Sequence, residues 1–210
     1  YQRRVRGLMD SVFAFTTKDA AVIVSEMTVN SDITVLVNKK DKIREVLGRD
    51  LMIVTGDAGD VNAHTDYLLA SINLQYFQNN KKAPSTAACA NWIRHGVWES
   101  VRDHPIQVKI CYAGVDQDGP KLYSIDNYGA LMCPKYIAQN YSMYLLLAVM
   151  DKYYKEEMTK EEMVEFAKKC IAVMSRRFLL QQHRFLMKIA TKNGVEAVEI
   201  DYQPELLKNE

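Results

Sequence analysis

The chain has 210 residues and a mass of 24.1 kDa, enough for one domain with a substantial core. Its 27 basic and 26 acidic residues nearly cancel, so the net charge gives no field that would attract nucleic acid or an acidic membrane surface. The longest apolar run, residues 145–150, is far shorter than the roughly 20 residues that span a bilayer, and no secretory leader is expected.

Five apolar segments of strand length occupy the first 54 residues. We predict strands at residues 11–16, 20–27, 33–37, 42–47 and 51–54. The first two form a hairpin, because only a short polar turn separates them. The last, LMIV, is apolar without a break, which is typical of a strand buried on both faces.

Helices and strands then alternate in pairs along the rest of the chain. Apolar spacing predicts helices over residues 58–79, from about 85, over 138–154, and from a capping box at 159–162. Period-two patterns predict strands at 106–110, 122–125, 184–190 and 195–199. The last two strands are joined at Asn193-Gly194, a strong hairpin signal because both residues tolerate positive φ. No repeat or linker interrupts the pattern.

Four widely spaced cysteines contain no CxxC pair. This spacing favours reduced thiols in the core over a disulfide or zinc framework. The four residues are Cys89, Cys111, Cys133 and Cys170.

The sequence TGDAGD at residues 55–60 stands between a buried strand and a helix, which is the layout of many nucleotide-binding turns. Ala58 replaces the third glycine that a dinucleotide loop needs, and no Walker lysine follows. Asp57 and Asp60 would also place two negative charges against a phosphate. Phosphate binding is therefore excluded.

A metal site is an alternative for the same turn. Asp57, Asp60 and His64 are spaced by three and four, so a helix would place all three on one face, where they could hold a divalent ion. Acidic residues also favour the positive end of a helix, and the glycines of the turn fit that simpler role. We favour the start of a helix and keep the metal as an alternative.

The segment AGVDQDGPKLYSIDNYG at residues 113–129 resembles the AGxDxxGPxLYxxDxxG segment of proteasome beta-type subunits. The TGDAGD turn, VMDKYY, KKCIAVMSRRF and TKNGVE follow the family's order and spacing. Within the family, AGD, DKYY and RRF are most similar to the eukaryotic subunit at the fourth position of the beta ring. The resemblance implies an N-terminal extension over residues 1–8, a beta-type domain over 9–200 and a C-terminal tail over 201–210. We expect the tail to pack on a neighbouring subunit.

The resemblance implies an α+β fold, the four-layer αββα N-terminal-nucleophile hydrolase sandwich, with two antiparallel sheets between helical layers. Active members begin with a threonine, exposed by cleavage of a Gly-Thr bond, whose hydroxyl attacks the peptide carbonyl and whose α-amino group moves the proton. This sequence contains no Gly-Thr pair. The resemblance places Asp10 at the nucleophile position, so we expect the catalytic threonine to be absent.

The family's site maps onto seven positions in total. They are Asp10, Glu26, Lys42, Gly56, Tyr141, Phe178 and Gln181. Lys42 matches the lysine that lowers the nucleophile's pKa, and Glu26 stands for an aspartate that could pair with it. Gly56 matches the glycine whose N–H is the oxyanion donor. Where this chain has Tyr141, Phe178 and Gln181, active members have a serine, an aspartate and a serine. The resemblance therefore implies a site that has lost its catalytic residues, which we call the degenerate site.

The expected function is therefore that of a non-catalytic structural beta subunit, which completes the beta ring of the chamber that degrades ubiquitin-targeted proteins. The expected partners are beta subunits of the same ring, the opposite beta ring and the alpha ring. No nucleic acid, membrane, cofactor or metal is expected, and the expected localisation is cytoplasm and nucleus. Two alternatives are an active threonine-protease beta subunit and an unrelated metal-binding domain that uses Asp57, Asp60 and His64.

Overall fold

The computed structural model describes residues 10–31, 34–178 and 183–202. The expected extension at 1–8, the tail from 203 onward, Ile33 and Gln181 lie outside these ranges. The strands are β1 Val12–Thr16, β2 Ala20–Glu26, β3 Val29–Ser31, β4 Thr34–Val37, β5 Arg44–Val46, β6 Asp50–Gly56, β7 Val108–Asp116, β8 Gly119–Ile125, β9 Leu131–Met132, β10 Tyr136–Gln139, β11 Arg184–Thr191 and β12 Gly194–Asp201. The helices are α1 Ala58–Gln78, α2 Thr86–Asp103, α3 Ser142–Tyr153 and α4 Lys160–Arg177.

Two antiparallel five-stranded sheets form the centre of the fold. Sheet 1 has the order β10-β1-β2-β11-β12, and sheet 2 has the order β5-β6-β7-β8-β9. Helices α3 and α4 pack on the outer side of sheet 1, and α1 and α2 pack on that of sheet 2. The α+β sandwich that the resemblance implied is confirmed. None of the described helices is long and apolar enough to cross a membrane.

Strand β1 shows how the sequence builds these layers. Val12 and Ala14 belong to the cluster between the sheets, whereas Phe13 and Phe15 face α3 and α4. This alternation follows from the two-residue period of a strand. The ring of Phe15 meets that of Phe166 edge to face, with the centroids 4.9 Å apart. The small residues therefore lie where the two sheets approach each other, and the large ones fill the helical layer.

The predicted third helix begins too early. Residues 136–139 form the edge strand β10, in which Ala138 pairs with Phe13 of β1. Asn140 then adopts a left-handed conformation with φ of 60°, and α3 begins at Ser142. The pairing with β1 outweighs the local helical pattern. It joins segments more than 120 residues apart, so no local pattern in the sequence predicts it. The short strands β3 and β9 were also not predicted.

The cysteines fit the prediction at three of four positions. Cys89, Cys111 and Cys170 are free and buried in the core, whereas Cys133 is free and exposed. The prediction of a core thiol is therefore wrong for Cys133, which follows the two-residue edge strand β9.

A buried carboxylate joins α2 to sheet 2. Asp50 is fully buried at the start of β6 and accepts hydrogen bonds from the hydroxyls of Tyr112, at 2.8 Å, and Thr86, at 3.4 Å. Burial raises the pKa of Asp50 above its usual value. Gly114 faces this carboxylate so closely that a Cβ at Gly114 would overlap it. The site therefore requires glycine at position 114.

We expect Gly114→Ala to destabilise the chain by roughly 3 kcal/mol, because the added methyl group must displace a buried, hydrogen-bonded carboxylate. The matched control is Gly96→Ala in α2, where the added Cβ meets no atom within 4 Å. That change should stabilise the helix by about 0.5–1 kcal/mol. Urea unfolding of both variants checks the expectation, and equal midpoints would contradict it.

A candidate nucleophile site before the first strand

Asp10, which the resemblance places at the nucleophile position, lies just before β1. Its carboxylate accepts a hydrogen bond from the ammonium of Lys42 at 2.7 Å, and the same ammonium donates to the carbonyl of Thr28 at 2.6 Å. The Lys42 side chain is only 11% exposed and that of Asp10 is 34% exposed. The position therefore holds a largely enclosed ion pair.

The backbone around Asp10 is fixed from two directions. The Asn140 side-chain amide donates to the carbonyl of Asp10 at 3.1 Å, and the Ser142 hydroxyl donates to the carbonyl of Val12 at 3.2 Å. From the other side, the Glu26 N–H donates to the carbonyl of Ser11 at 3.1 Å. The start of β1 is thus held between β2 and the first turn of α3.

A buried lysine anchors the segment that carries Lys42. Lys188 of β11 is 6% exposed, and its ammonium donates to the carbonyl of Ile43 at 3.0 Å. It also forms ion pairs with Asp41 at 2.8 Å and Glu45 at 2.9 Å. Both residues next to Lys42 in the chain are therefore tied to β11, which fixes the path of the backbone at Lys42.

Glu26 is the second carboxylate of the site. It is 2% exposed at the end of β2 and accepts a hydrogen bond from the Thr28 hydroxyl. Burial raises the pKa of Glu26 to about 7, although the Thr28 hydrogen bond and the charge of Lys42 oppose the shift. The sequence suggested an ion pair between Glu26 and Lys42. The ammonium of Lys42 pairs with Asp10 instead, and the carboxylate of Glu26 accepts its hydrogen bond from the Thr28 hydroxyl.

Gly56 ends β6 in a conformation that only glycine tolerates. Its φ is 144°, and a Cβ at this residue would overlap the carbonyl of Gln107. The neighbouring hydroxyl of Thr55 reaches the side-chain carbonyl of Gln139 at 3.3 Å, which joins the end of sheet 2 to β10 next to Asn140. Through this contact the structure brings the Gly56 turn to the same end of the sandwich as Asp10.

The remaining positions of the degenerate site have different surroundings. Tyr141 is 48% exposed at the start of α3 and makes no capping hydrogen bond. Phe178 follows the last residue of α4 and packs against the core between sheet 1 and its helices. Gln181 lies outside the described residues. Asn140 and Ser142 were missed by the sequence reasoning, although they flank Tyr141 and hold the start of β1.

The metal alternative for Asp57, Asp60 and His64 is wrong. Asp57 caps α1 by accepting from the N–H of Gly59 at 3.1 Å, and Asp60 accepts from the N–H of Gln107 at 2.9 Å. Burial lowers the pKa of His64. Within residues 10–31, 34–178 and 183–202, no three His, Cys, Asp or Glu side chains form a group that could hold a metal ion. The two acidic residues serve the start of the helix.

Known proteins resemble this chain along most of its length. The family model described as proteasome subunit matches residues 9–190. Proteasome subunit beta type-2 of Dictyostelium discoideum is 29% identical over 194 residues, which cover 90% of this chain and 97% of the relative. Proteasome subunit beta type-2-B of Arabidopsis thaliana is 32% identical, covering 89% of this chain and 94% of the relative. Proteasome subunit beta type-4 of Saccharomyces cerevisiae is 28% identical, covering 94% and 100%.

The pKa of Glu26 sets a pH dependence of stability. Because its pKa rises from 4.5 to about 7 on folding, the protonated form stabilises the fold below about pH 4.5, and that contribution is lost as the pH rises through 7. The full shift corresponds to a change of about 3 kcal/mol in the free energy of unfolding. We expect Glu26→Gln, which cannot ionise, to remove this loss, so that its melting temperature exceeds that of the wild type at pH 8 but not at pH 4.5.

The control is Glu165→Gln on the exposed face of α4, whose side chain is 62% exposed. This variant should follow the wild-type melting curve at both pH values. A Glu26→Gln difference that is the same at pH 4.5 and pH 8 would contradict the expectation.

Proposed function

The chain belongs to the proteasome subunit family, and from this membership we propose that it serves as a non-catalytic beta subunit of the core particle. Its relatives carry the names beta type-2 and beta type-4, and the match extends over nearly the whole length of both partners in each comparison. The work of such a subunit is to complete the ring and to help enclose the chamber in which ubiquitin-targeted proteins are degraded.

The ion pair between Asp10 and Lys42 is the observation that carries the non-catalytic assignment. A threonine nucleophile attacks through its hydroxyl and uses its own free α-amino group to move the proton. Asp10 has no hydroxyl, and its nitrogen is linked to Met9 by a peptide bond. Its carboxylate is bound to the ammonium of Lys42 at 2.7 Å. The lysine that would activate a nucleophile thus neutralises a carboxylate instead.

Assembly with other proteasome subunits follows from the family, and its arrangement is part of the proposal. The partners are two neighbouring subunits of the beta ring, the opposite beta ring and the alpha ring. The motifs AGD, DKYY and RRF support the fourth position of the beta ring. The proposal includes neither a nucleic-acid nor a membrane partner, and it places the protein in the cytoplasm and the nucleus.

A tagged copy isolated under native conditions from its source cell tests the assignment. We expect a complex of several hundred kilodaltons that contains other alpha and beta subunits and cleaves peptides. A peptide electrophile that reacts with N-terminal threonine should label other subunits of this complex and leave this chain unlabelled in mass spectra. Labelling of this chain would overturn the non-catalytic assignment, and a lone monomer would overturn membership of the particle.

Asp10→Asn provides the matched variant, because it keeps the shape and the hydrogen-bonding oxygen of the side chain while removing its charge. We expect particles that contain Asp10→Asn to retain wild-type peptidase activity per assembled particle. A loss of one peptidase activity in fully assembled particles would show that Asp10 takes part in the chemistry.

A further inference from the structure

Asn193 lies at the tip of the hairpin that joins the last two strands. The final pair of the β11–β12 register joins Thr191 to Gly194, so Lys192 and Asn193 form the turn between the strands. Both residues are exposed, and we call them the hairpin tip. Gly194 has a φ of 123°, which glycine adopts without strain, and a Cβ on this residue would meet no atom within 4 Å. The space beside Gly194 is therefore open.

The residue that follows an asparagine controls the reactivity of its carboxamide. The backbone nitrogen of the next residue can attack the carboxamide carbon, Cγ, because the product is a five-membered ring. A side chain on that next residue obstructs the approach, and glycine has none. Asn193 is the only asparagine in the sequence that glycine follows. This chemistry is therefore concentrated at the hairpin tip.

We propose that Asn193 is a site of spontaneous modification, at which its carboxamide becomes a carboxylate through a cyclic imide. The N–H of Gly194 gives its proton to a base in the solvent, and the nitrogen bonds to Cγ of Asn193. The C–N bond of the carboxamide breaks, and its nitrogen takes up a proton and leaves as ammonia. Water then opens the ring at one of its two carbonyl carbons, which yields aspartate or isoaspartate. Water is the co-reactant, and no group is oxidised or reduced.

One hydroxyl controls how readily the ring closes. The Thr191 hydroxyl accepts a hydrogen bond from the N–H of Asn193 at 3.2 Å and donates one to the carbonyl of Gly194 at 3.1 Å. These two groups stand on either side of the peptide bond whose nitrogen must turn towards Cγ. The hydroxyl therefore opposes the rotation that closes the ring. Its loss should speed the reaction by roughly two- to tenfold, which is the equilibrium effect of one ordinary hydrogen bond.

The isoaspartate product changes the path of the chain, whereas the aspartate product does not. In isoaspartate the backbone passes through the former side chain, so a methylene group is added to a turn of two residues. Strand β12 is the edge strand of sheet 1, and its neighbour in the sheet is β11. The longer turn no longer matches the pairing of Thr191 with Gly194. We therefore expect isoaspartate to loosen β12 next to the hairpin tip.

The hairpin tip is remote from the degenerate site. Thr191 pairs with Ala20 at the start of β2, whereas Glu26 ends the same strand. Six residue intervals separate these two ends, a distance of about 20 Å at roughly 3.3 Å per residue. The inference therefore does not depend on the proposed function, and its failure would leave that function untouched.

Incubation of the purified full-length chain in mildly alkaline buffer tests the proposal. We expect the peptide that contains Asn193 to gain the mass that separates a carboxylic acid from an amide. Part of the product should accept a methyl group from an isoaspartate-specific carboxyl methyltransferase. Asn38 is the internal control, because it is also exposed outside a helix but Lys39 follows it. No conversion at Asn193, or equal conversion at Asn38, would overturn the proposal.

Two variants test the mechanism in the same chain. Asn193→Gln should lose the mass gain and the methyl acceptance, because its longer side chain cannot form the five-membered ring. Thr191→Val keeps the shape of the side chain without the hydroxyl, and it should convert faster than the wild type. Methyl acceptance that persists in Asn193→Gln would overturn the modification site. A wild-type rate in Thr191→Val, at equal melting temperature, would overturn the role of the hydroxyl.

The pH dependence of the rate gives a further check. Because the Gly194 nitrogen attacks after losing its proton, conversion in the wild-type chain should accelerate as the pH rises through the mildly alkaline range. A rate that does not change with pH would contradict attack by this nitrogen. Hydrogen exchange of the converted chain, compared with the fresh chain, should show faster exchange in the first residues of β12. Unchanged exchange in a sample rich in isoaspartate would overturn the expected loosening of the strand.

Discussion

Burial of four central strands on both faces is the constraint on which the rest of the structure depends. Strands β1, β2, β6 and β7 each lie between the opposite sheet and a helical layer. Small side chains such as Ala14, Ala21 and Ala113 lie between the sheets, while Phe13 and Phe15 face the helices. In β1 a shift of one residue would therefore exchange large and small side chains between the layers. The register is therefore fixed, and with it the position of Asp10.

The electrostatics of the site follow from one cation facing two carboxylates. Lys42 lies close enough to influence both Asp10 and Glu26, but it forms its ion pair with Asp10. An enclosed carboxylate without its own cation prefers the neutral form, and Glu26 accordingly has a raised pKa. The site therefore holds an ion pair beside a carboxyl group whose pKa is about 7. Such an arrangement joins β1, β2 and the Lys42 segment.

Much of the fold could be predicted from local sequence, and the misses share a cause. Three features carry their signals within a few residues, and the structure contains all three. They are the predicted strand at residues 51–54, which is β6, the Thr159 capping box and the Asn193-Gly194 hairpin. Strand β10 owes its state to a partner more than 120 residues away, so local sequence does not predict it, and its last two residues fall within the predicted helix. The site was located by resemblance, which aligns positions but does not show which atoms meet. The preference of Lys42 for Asp10 over Glu26 depends on three-dimensional distance, and the contributions of Asn140 and Ser142 depend on the left-handed turn at Asn140.

The strand orders of the two sheets have a consequence for how the chain acquires its structure during synthesis. Sheet 2 uses strands that are neighbours in sequence, from Arg44 to Met132, so each pairing closes a hairpin or a loop that holds the helical pair α1 and α2. In sheet 1, β2 pairs with β11, in the register of Val24 with Met187. Strand β2 must therefore wait for a strand made about 160 residues later, and contacts that distant in sequence form slowly. Until then the β2 edge of the hairpin lacks its partner strand. Sheet 2 with its helices, strand β10 and helices α3 and α4 all precede β11 in the chain, so both apolar faces of this hairpin can be covered before its open edge is paired.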